Sequence, residues 1–273
     1  AKCAFDLART RKFLQGLKQA LHLLLQQESS RPIQVLYAGS GPYALLALLV
    51  CSFFKKGEVE FTVLDLHSAS VESVKRLVNG FGLEHFFPEI IVADATQYKW
   101  EKALPLHMFI VETLQTALQN EQQVTIAAQI APQLAPGGIM IPERIEVTAV
   151  LVNTELRHAL QLSLEPDESG GKPIVDIGLV INLNKDSAIH AANTITEPFA
   201  PVNFSLPSEF LRPPYTLELH TTITVFGQEQ IKDFDSGLTM PIVISPADQL
   251  IGKKEIAFNY INTIVPRVEW KIT

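Results

Sequence analysis

Apolar residues first recur at helical spacing. In DLARTRKFLQGLKQALHLLLQQE (6–28) they fall at Phe13, Leu17, Ala20, Leu21, Leu24 and Leu25, which predicts a helix. The pattern then shortens. IQVLYA (33–38) reads as a buried strand, followed by Gly39-Ser40-Gly41 and an apolar helix through Phe54. VEFTVLDL (59–66) predicts a second strand with Asp65 near its end, and SVESVKRLVNGFG (70–82) a helix stopped by Gly80 and Gly82. EIIVADA (89–95) predicts a third strand with Asp94 near its end, and LHMFIV (106–111) a fourth ending at Glu112. A helix is expected through about Leu134, after which APGG (135–138) turns the chain into IMIPERIEV (139–147).

Strands separated by helices imply right-handed crossovers and a parallel sheet covered on both faces. Ligands of such sheets sit beyond the carboxyl ends of the strands, where strand order reverses. Four consecutive strand ends here carry Gly39 and Gly41, Asp65, Asp94 and Glu112, which should therefore cluster. From about residue 145 the pattern turns to short β-rich runs: RIEVTAVLVN, PIVDIGLVINLN, PYTLELHTTITVFG, MPIVIS, EIAFNYIN and RVEWKIT. Only 155–163 reads as helical there. The expected fold class is α/β: a Rossmann-like parallel-sheet domain over 1–142, then an antiparallel β-barrel or sandwich over 143–273, divided near Pro142.

Composition removes several function classes. The chain has 273 residues, 47% of them hydrophobic, enough for a sizeable core. A net charge of −7 with no basic block argues against nucleic acid as partner. The longest apolar stretch, Tyr43 to Phe54, is twelve residues, too short to span a bilayer, so no membrane partner is expected. Cys3 and Cys51 form neither a metal-ligand pattern nor a disulfide framework, which predicts no metal site and a reducing, cytoplasmic setting.

The glycine pair after the first strand lets a cofactor approach backbone N–H groups at a helix N-terminus. Asp65, 24 residues after Gly41, lies where a second-strand acid takes both hydroxyls of a ribose. A dinucleotide wants a third glycine for its pyrophosphate, but Tyr43 stands in that place. A cofactor without a pyrophosphate, such as S-adenosylmethionine, fits better, with Asp94 and Ala95 beside the adenine amino group. Taken singly, Asp65 and Asp94 read equally well as capping residues. Tyr37 and Tyr43 either pack on the cofactor or fill the core.

The segment FIVETLQTALQNEQQVTIAAQIAPQLAPGGIMIPERIEV (109–147) resembles the protein arginine methyltransferases. The family's two glutamates nine apart, PGG turn and P-[DE]-R entry to the β domain correspond to Glu112 and Glu121, Pro136-Gly137-Gly138 and Pro142-Glu143-Arg144. On one helix, residues nine apart face opposite ways, so the two acids converge only if the chain loops back after the strand. DLART (6–10) resembles the family segment in which an arginine holds the carboxylate of the cofactor's methionine part, which falls on Arg9. Without that resemblance Arg9 reads as an exposed helix residue. Gly41-Pro42 is similar to the loop of the branch that makes symmetric dimethylarginine. The resemblance implies S-adenosylmethionine as cofactor and Glu112 and Glu121 as a catalytic clamp on a guanidinium, whose N–H fork two carboxylates match.

The sequence also departs from the family. Its Thr-His-Trp loop corresponds best to Thr239-Met240-Pro241, without the His and Trp, and His220 is a weaker alternative placement. The shortened second half implies a reduced dimerisation arm, although a homodimer remains open. The expected function is N-methylation of a guanidino or other amine substrate in a protein, peptide or small molecule. Methylation of another small metabolite and a non-catalytic interaction module remain the alternatives.

Overall fold

The computed structural model describes residues 5–27, 31–162, 172–194 and 197–273. Cys3, residue 28 of the expected first helix and residue 163 of the expected 155–163 helix lie outside them. Helix α1 (Leu7–Gln27) is capped by Asp6, whose Oδ1 accepts from the Arg9 amide at 3.0 Å. It buries Phe13, Leu17, Ala20, Leu21 and Leu24, the stripe that its spacing predicts.

Strands β1 (Ile33–Ala38), β2 (Val59–Asp65), β3 (Glu89–Val92), β4 (Leu106–Val111) and β5 (Leu134–Ile141) form a parallel sheet in the order β3-β2-β1-β4-β5. The crossovers include α2 (Leu45–Val50), α3 (Ser68–Gly80) and α4 (Gln123–Ile130). β1 and β4 are buried along their whole length, as continuous apolar runs covered on both faces must be. Strand order reverses between β1 and β4.

Three expectations in this half are corrected. The third strand stops at Val92, so Asp94 sits in the following turn, where its carboxylate accepts from the Thr96 amide at 2.9 Å and hydroxyl at 2.7 Å. The helix expected through Leu134 is a loop up to Gln122 followed by the short α4, which Pro132 keeps from continuing as an α-helix. APGG is not a turn between elements. It is an irregularity within β5, whose register on β4 jumps from Leu106↔Leu134 to Met108↔Ile139.

The β-rich half contains β6 (Arg144–Asn153), α5 (Thr154–Gln161), β7 (Ile174–Asn184), α6 (Lys185–Ala191), β8 (Val202–Ser205), β9 (Tyr215–Phe226), β10 (Glu229–Ile231), β11 (Ile242–Pro246), β12 (Glu255–Ile261) and β13 (Arg267–Ile272). They make two antiparallel sheets, β10-β9-β6-β7 with β11 on β9, and β13-β12-β8. Among the described residues these do not join into a closed barrel. Helix α6 was not anticipated. Its N-terminus is a capping box in which the Asn184 and Ser187 side chains each take the other's backbone amide.

Helix α1 packs against both halves, touching α2 and β1 on one side and β9 and β10 on the other. Gly16 allows the close approach to β9: a Cβ there would lie 2.6 Å from Val225 Cγ1 and 3.3 Å from the Phe226 amide nitrogen.

Candidate active site

A cavity of about 530 Å³ opens at the carboxyl ends of β1, β2 and β4, at the reversal of strand order. Among its lining residues are Gly39, Gly41, Asp65, Asp94, Ala95, Glu112 and Glu121, seven of the eight residues singled out from sequence; the eighth, Arg9, reaches it through Glu112. Gly39 has φ +71° and Gly41 φ +63°, conformations that favour glycine. A Cβ on Gly39 would lie 2.3 Å from Thr113 Cγ2, so that glycine also makes room for the residue after Glu112.

Asp65 is 6% exposed, and both carboxylate oxygens are held by backbone: Oδ2 accepts from the Gly41 amide at 2.8 Å and Oδ1 from the His67 amide at 2.9 Å. Each oxygen keeps a second lone pair. The glycine turn and the acid are thus one hydrogen-bonded unit, an arrangement that neither a capping role nor a ligand role alone conveys.

Glu112 follows β4 directly. Its carboxylate grips the Arg9 guanidinium bidentately, Oε1 accepting from Nε and Oε2 from Nη2, with side-chain exposures of 7% for Arg9 and 4% for Glu112. Arg9 is therefore not an exposed helix residue. Its guanidinium carbon also lies 5.6 Å from the centroid of the Phe13 ring. The backbone on either side of Glu112 is fastened by the fully buried Gln123 amide, which donates to the Val111 carbonyl and accepts from the Thr113 amide, each at 3.0 Å. Nothing in the sequence separates this glutamine from its neighbours Gln119 and Gln122.

Residues 112–122 loop back to carry Glu121 to the same cavity. Ala117 (φ +54°), Leu118 (φ +56°) and Asn120 (φ +64°) are left-handed, each costing a non-glycine residue on the order of 1 kcal/mol. Glu121 Oε1 accepts from Gln115 Nε2 at 3.1 Å.

The turn at 237–239 lies against this loop, with the Gly237 carbonyl accepting from Thr116 Oγ1 at 3.3 Å. Thr239 itself is fully buried and donates to the Lys232 carbonyl at 2.6 Å, so its hydroxyl is committed to the turn. His220 does not line the cavity. It lies on the face of β9 opposite Thr221, with Nε2 3.1 Å from Glu218 and Nδ1 2.5 Å from Asp233, while Arg157 Nη1 donates to Glu218 at 2.7 Å. Burial alone would lower its pKa, but the two carboxylates outweigh that and raise it to about 9. Tyr37 is core at 3% exposure and Tyr43 is 41% exposed; neither lines the cavity.

No family model matches the chain, and no curated protein sequence matches it. Solved structures do. One is Trypanosoma brucei PRMT1 in its enzyme–prozyme heterotetrameric complex with AdoHcy: TM-score 0.62, 11% identity, covering 98% of this chain and 90% of that one. Another is PRMT6 with SAH: TM-score 0.58, 11% identity, covering 98% of this chain and all of that one. The fold is that of the protein arginine methyltransferases. The likeness spans the parallel sheet and the antiparallel sheets together, and at this identity it speaks for the fold alone. Among the described residues no helix is long and apolar enough to cross a membrane.

Proposed function

We propose that the chain is an S-adenosylmethionine-dependent N-methyltransferase whose acceptor is a guanidino or other cationic nitrogen. The observation that carries this reading is the meeting of Glu112 and Glu121 on one cavity with Gly39, Gly41 and Asp65. The structures bearing the same fold hold AdoHcy or SAH, the product of that cofactor. The residues here fit such a group: the positive-φ glycines put no side chain in its way, although their amides are already taken by the Leu64 carbonyl and Asp65, Asp65 is oriented by two amides for a ribose, and Asp94 and Ala95 border the far end for the adenine.

When bound, the cofactor supplies a methyl group on a sulfonium, already activated, so the protein's part is positioning and charge stabilisation. Arg9, beside Glu112, is the cation for the cofactor's carboxylate. Glu112 and Glu121 would hold the acceptor's N–H groups and so orient its nitrogen. Glu112 already accepts a guanidinium fork from Arg9, the bond pattern an arginine-like acceptor would offer. Glu121 is the cleaner acid to test because its removal leaves no buried cation unpaired. Glu121→Gln should lower isotopic methyl transfer to arginine-rich peptides or free arginine by at least about a hundredfold, the scale of one transition-state contact. Cofactor affinity should hold. Undiminished turnover would end the clamp reading.

A further inference from the structure

The loop that returns Glu121 to the cavity is held from within by Gln115, whose Oε1 accepts from Asn120 Nδ2 and whose Nε2 donates to Glu121 Oε1, each at 3.1 Å, and from outside by the β-rich half. Its internal backbone bonds are short turns, Leu118 N to Gln115 O at 3.0 Å, Gln119 N to Thr116 O at 3.3 Å and Glu121 N to Gln119 O at 2.8 Å. Yet Ala117, Leu118 and Asn120 are all left-handed, which L residues seldom adopt, and Leu118 has no polar side chain to compensate locally. Each of the three is grasped from the β-rich half. Thr221 Oγ1 on β9 accepts from the Ala117 amide at 2.9 Å. The Tyr260 hydroxyl on β12 donates to the Leu118 carbonyl at 2.9 Å, and the Pro266 carbonyl before β13 accepts from the Asn120 amide at 2.8 Å. Ala117, Leu118 and Thr221 are fully buried and Tyr260 nearly so. Burial pushes the Tyr260 pKa up, so the hydroxyl keeps its proton and remains the donor.

Glu112 is anchored differently, by Gln123 and β4 of the parallel sheet. Resting on the reading above of the two acids as an acceptor clamp, we propose that Thr221 and Tyr260 are positioning residues. They hold residues 117–118 left-handed and thereby set where Glu121 stands relative to Glu112. The acceptor site is then assembled across the two halves of the chain, one acid placed by each. Neither Thr221 nor Tyr260 lines the cavity, so neither is a catalytic residue.

The test uses the full chain and the variants Thr221→Val, Tyr260→Phe and both together. Thr221→Ser serves as the hydroxyl-retaining rescue. Tyr215→Phe is a control, because that hydroxyl donates to the Lys172 carbonyl instead of the loop. Hydrogen exchange over residues 113–121 should accelerate about fivefold for each hydrogen bond removed. The rescue and the control should behave like the parent. Where methyl transfer is measurable, kcat/KM for the acceptor should fall while S-adenosylhomocysteine affinity is unchanged, a split that general destabilisation would not produce. Exchange over 113–121 unchanged in the double variant overturns the proposal, as does faster exchange in an active enzyme whose kcat/KM is intact. If the parent protein binds no S-adenosylhomocysteine, the transferase reading fails, and the exchange comparison still decides whether the tethers hold the loop.

Discussion

Arg9 and Glu112 form a buried ion pair, and its energetics can be measured directly. Both side chains are less than a tenth exposed, and the guanidinium meets the carboxylate along its fork. Two such charges roughly break even against apolar replacements, since desolvation offsets attraction, but removing one partner leaves the other buried and uncompensated, at about 3–5 kcal/mol. For a chain of this size each kcal/mol lowers the unfolding midpoint by about 2–4 °C, so Arg9→Met or Glu112→Met alone should lower it by about 10 °C. Arg9→Met combined with Glu112→Met should recover most of that loss. Thermal and denaturant unfolding of the parent, both single variants and the double variant closes the cycle. Single effects under about 1 kcal/mol that add to within about 0.5 kcal/mol would show that the charges do not depend on one another, and would refute the reasoning. The same argument is why Glu112 substitutions confound stability with chemistry and Glu121 substitutions do not.

Two further outcomes follow from packing and charge away from the cavity. His220 has a folded pKa of about 9 against 6.5 for the free group, so it binds its proton more tightly when folded, facing Glu218, Asp233 and, through Glu218, Arg157. Its stabilisation is complete below pH 6.5 and lost as the pH rises to 9, by up to about 3 kcal/mol. Denaturant unfolding at both ends of that window should show the decline in the parent and not in His220→Gln, and equal slopes would contradict it. Gly16→Ala gains about 1 kcal/mol of helix propensity but drives a methyl to 2.6 Å from the fully buried Val225, an overpacking of about 1–3 kcal/mol. The midpoint should fall and recover in Gly16→Ala/Val225→Ala, whereas a rise for Gly16→Ala alone would show that α1 shifts freely on β9.

Much of the fold was legible because buried parallel strands announce themselves as continuous apolar runs: IQVLYA and LHMFIV are wholly buried. The convergence of strand-end residues followed from topology alone, since Gly39, Gly41, Asp65 and Glu112 each sit at the end of a strand that must stop at one edge. The failures share a cause, tertiary contacts that override local pattern. Pro136-Gly137-Gly138 has the composition of a turn, but pairing of Leu134 and Ile139 with β4 absorbs it into β5. Without the family resemblance Arg9 reads as solvated, because the Glu112 that buries it is 103 residues away. The left-handed run at Ala117, Leu118 and Asn120 has no glycine to reveal it, because Thr221, Tyr260 and Pro266 impose it from afar. Helix α6 did carry a signal, the Asn184–Ser187 spacing of a capping box, hidden by the surrounding β-rich composition.

Binding of the cofactor in this cavity is the property to measure first. Calorimetric titration of the full chain with S-adenosylhomocysteine should show saturable binding at one site per chain, weakened at least about tenfold by Asp65→Ala, the cost of one charge-assisted hydrogen bond. Absence of saturable heat for the parent, or an Asp65→Ala dissociation constant equal to the parent's, would contradict it.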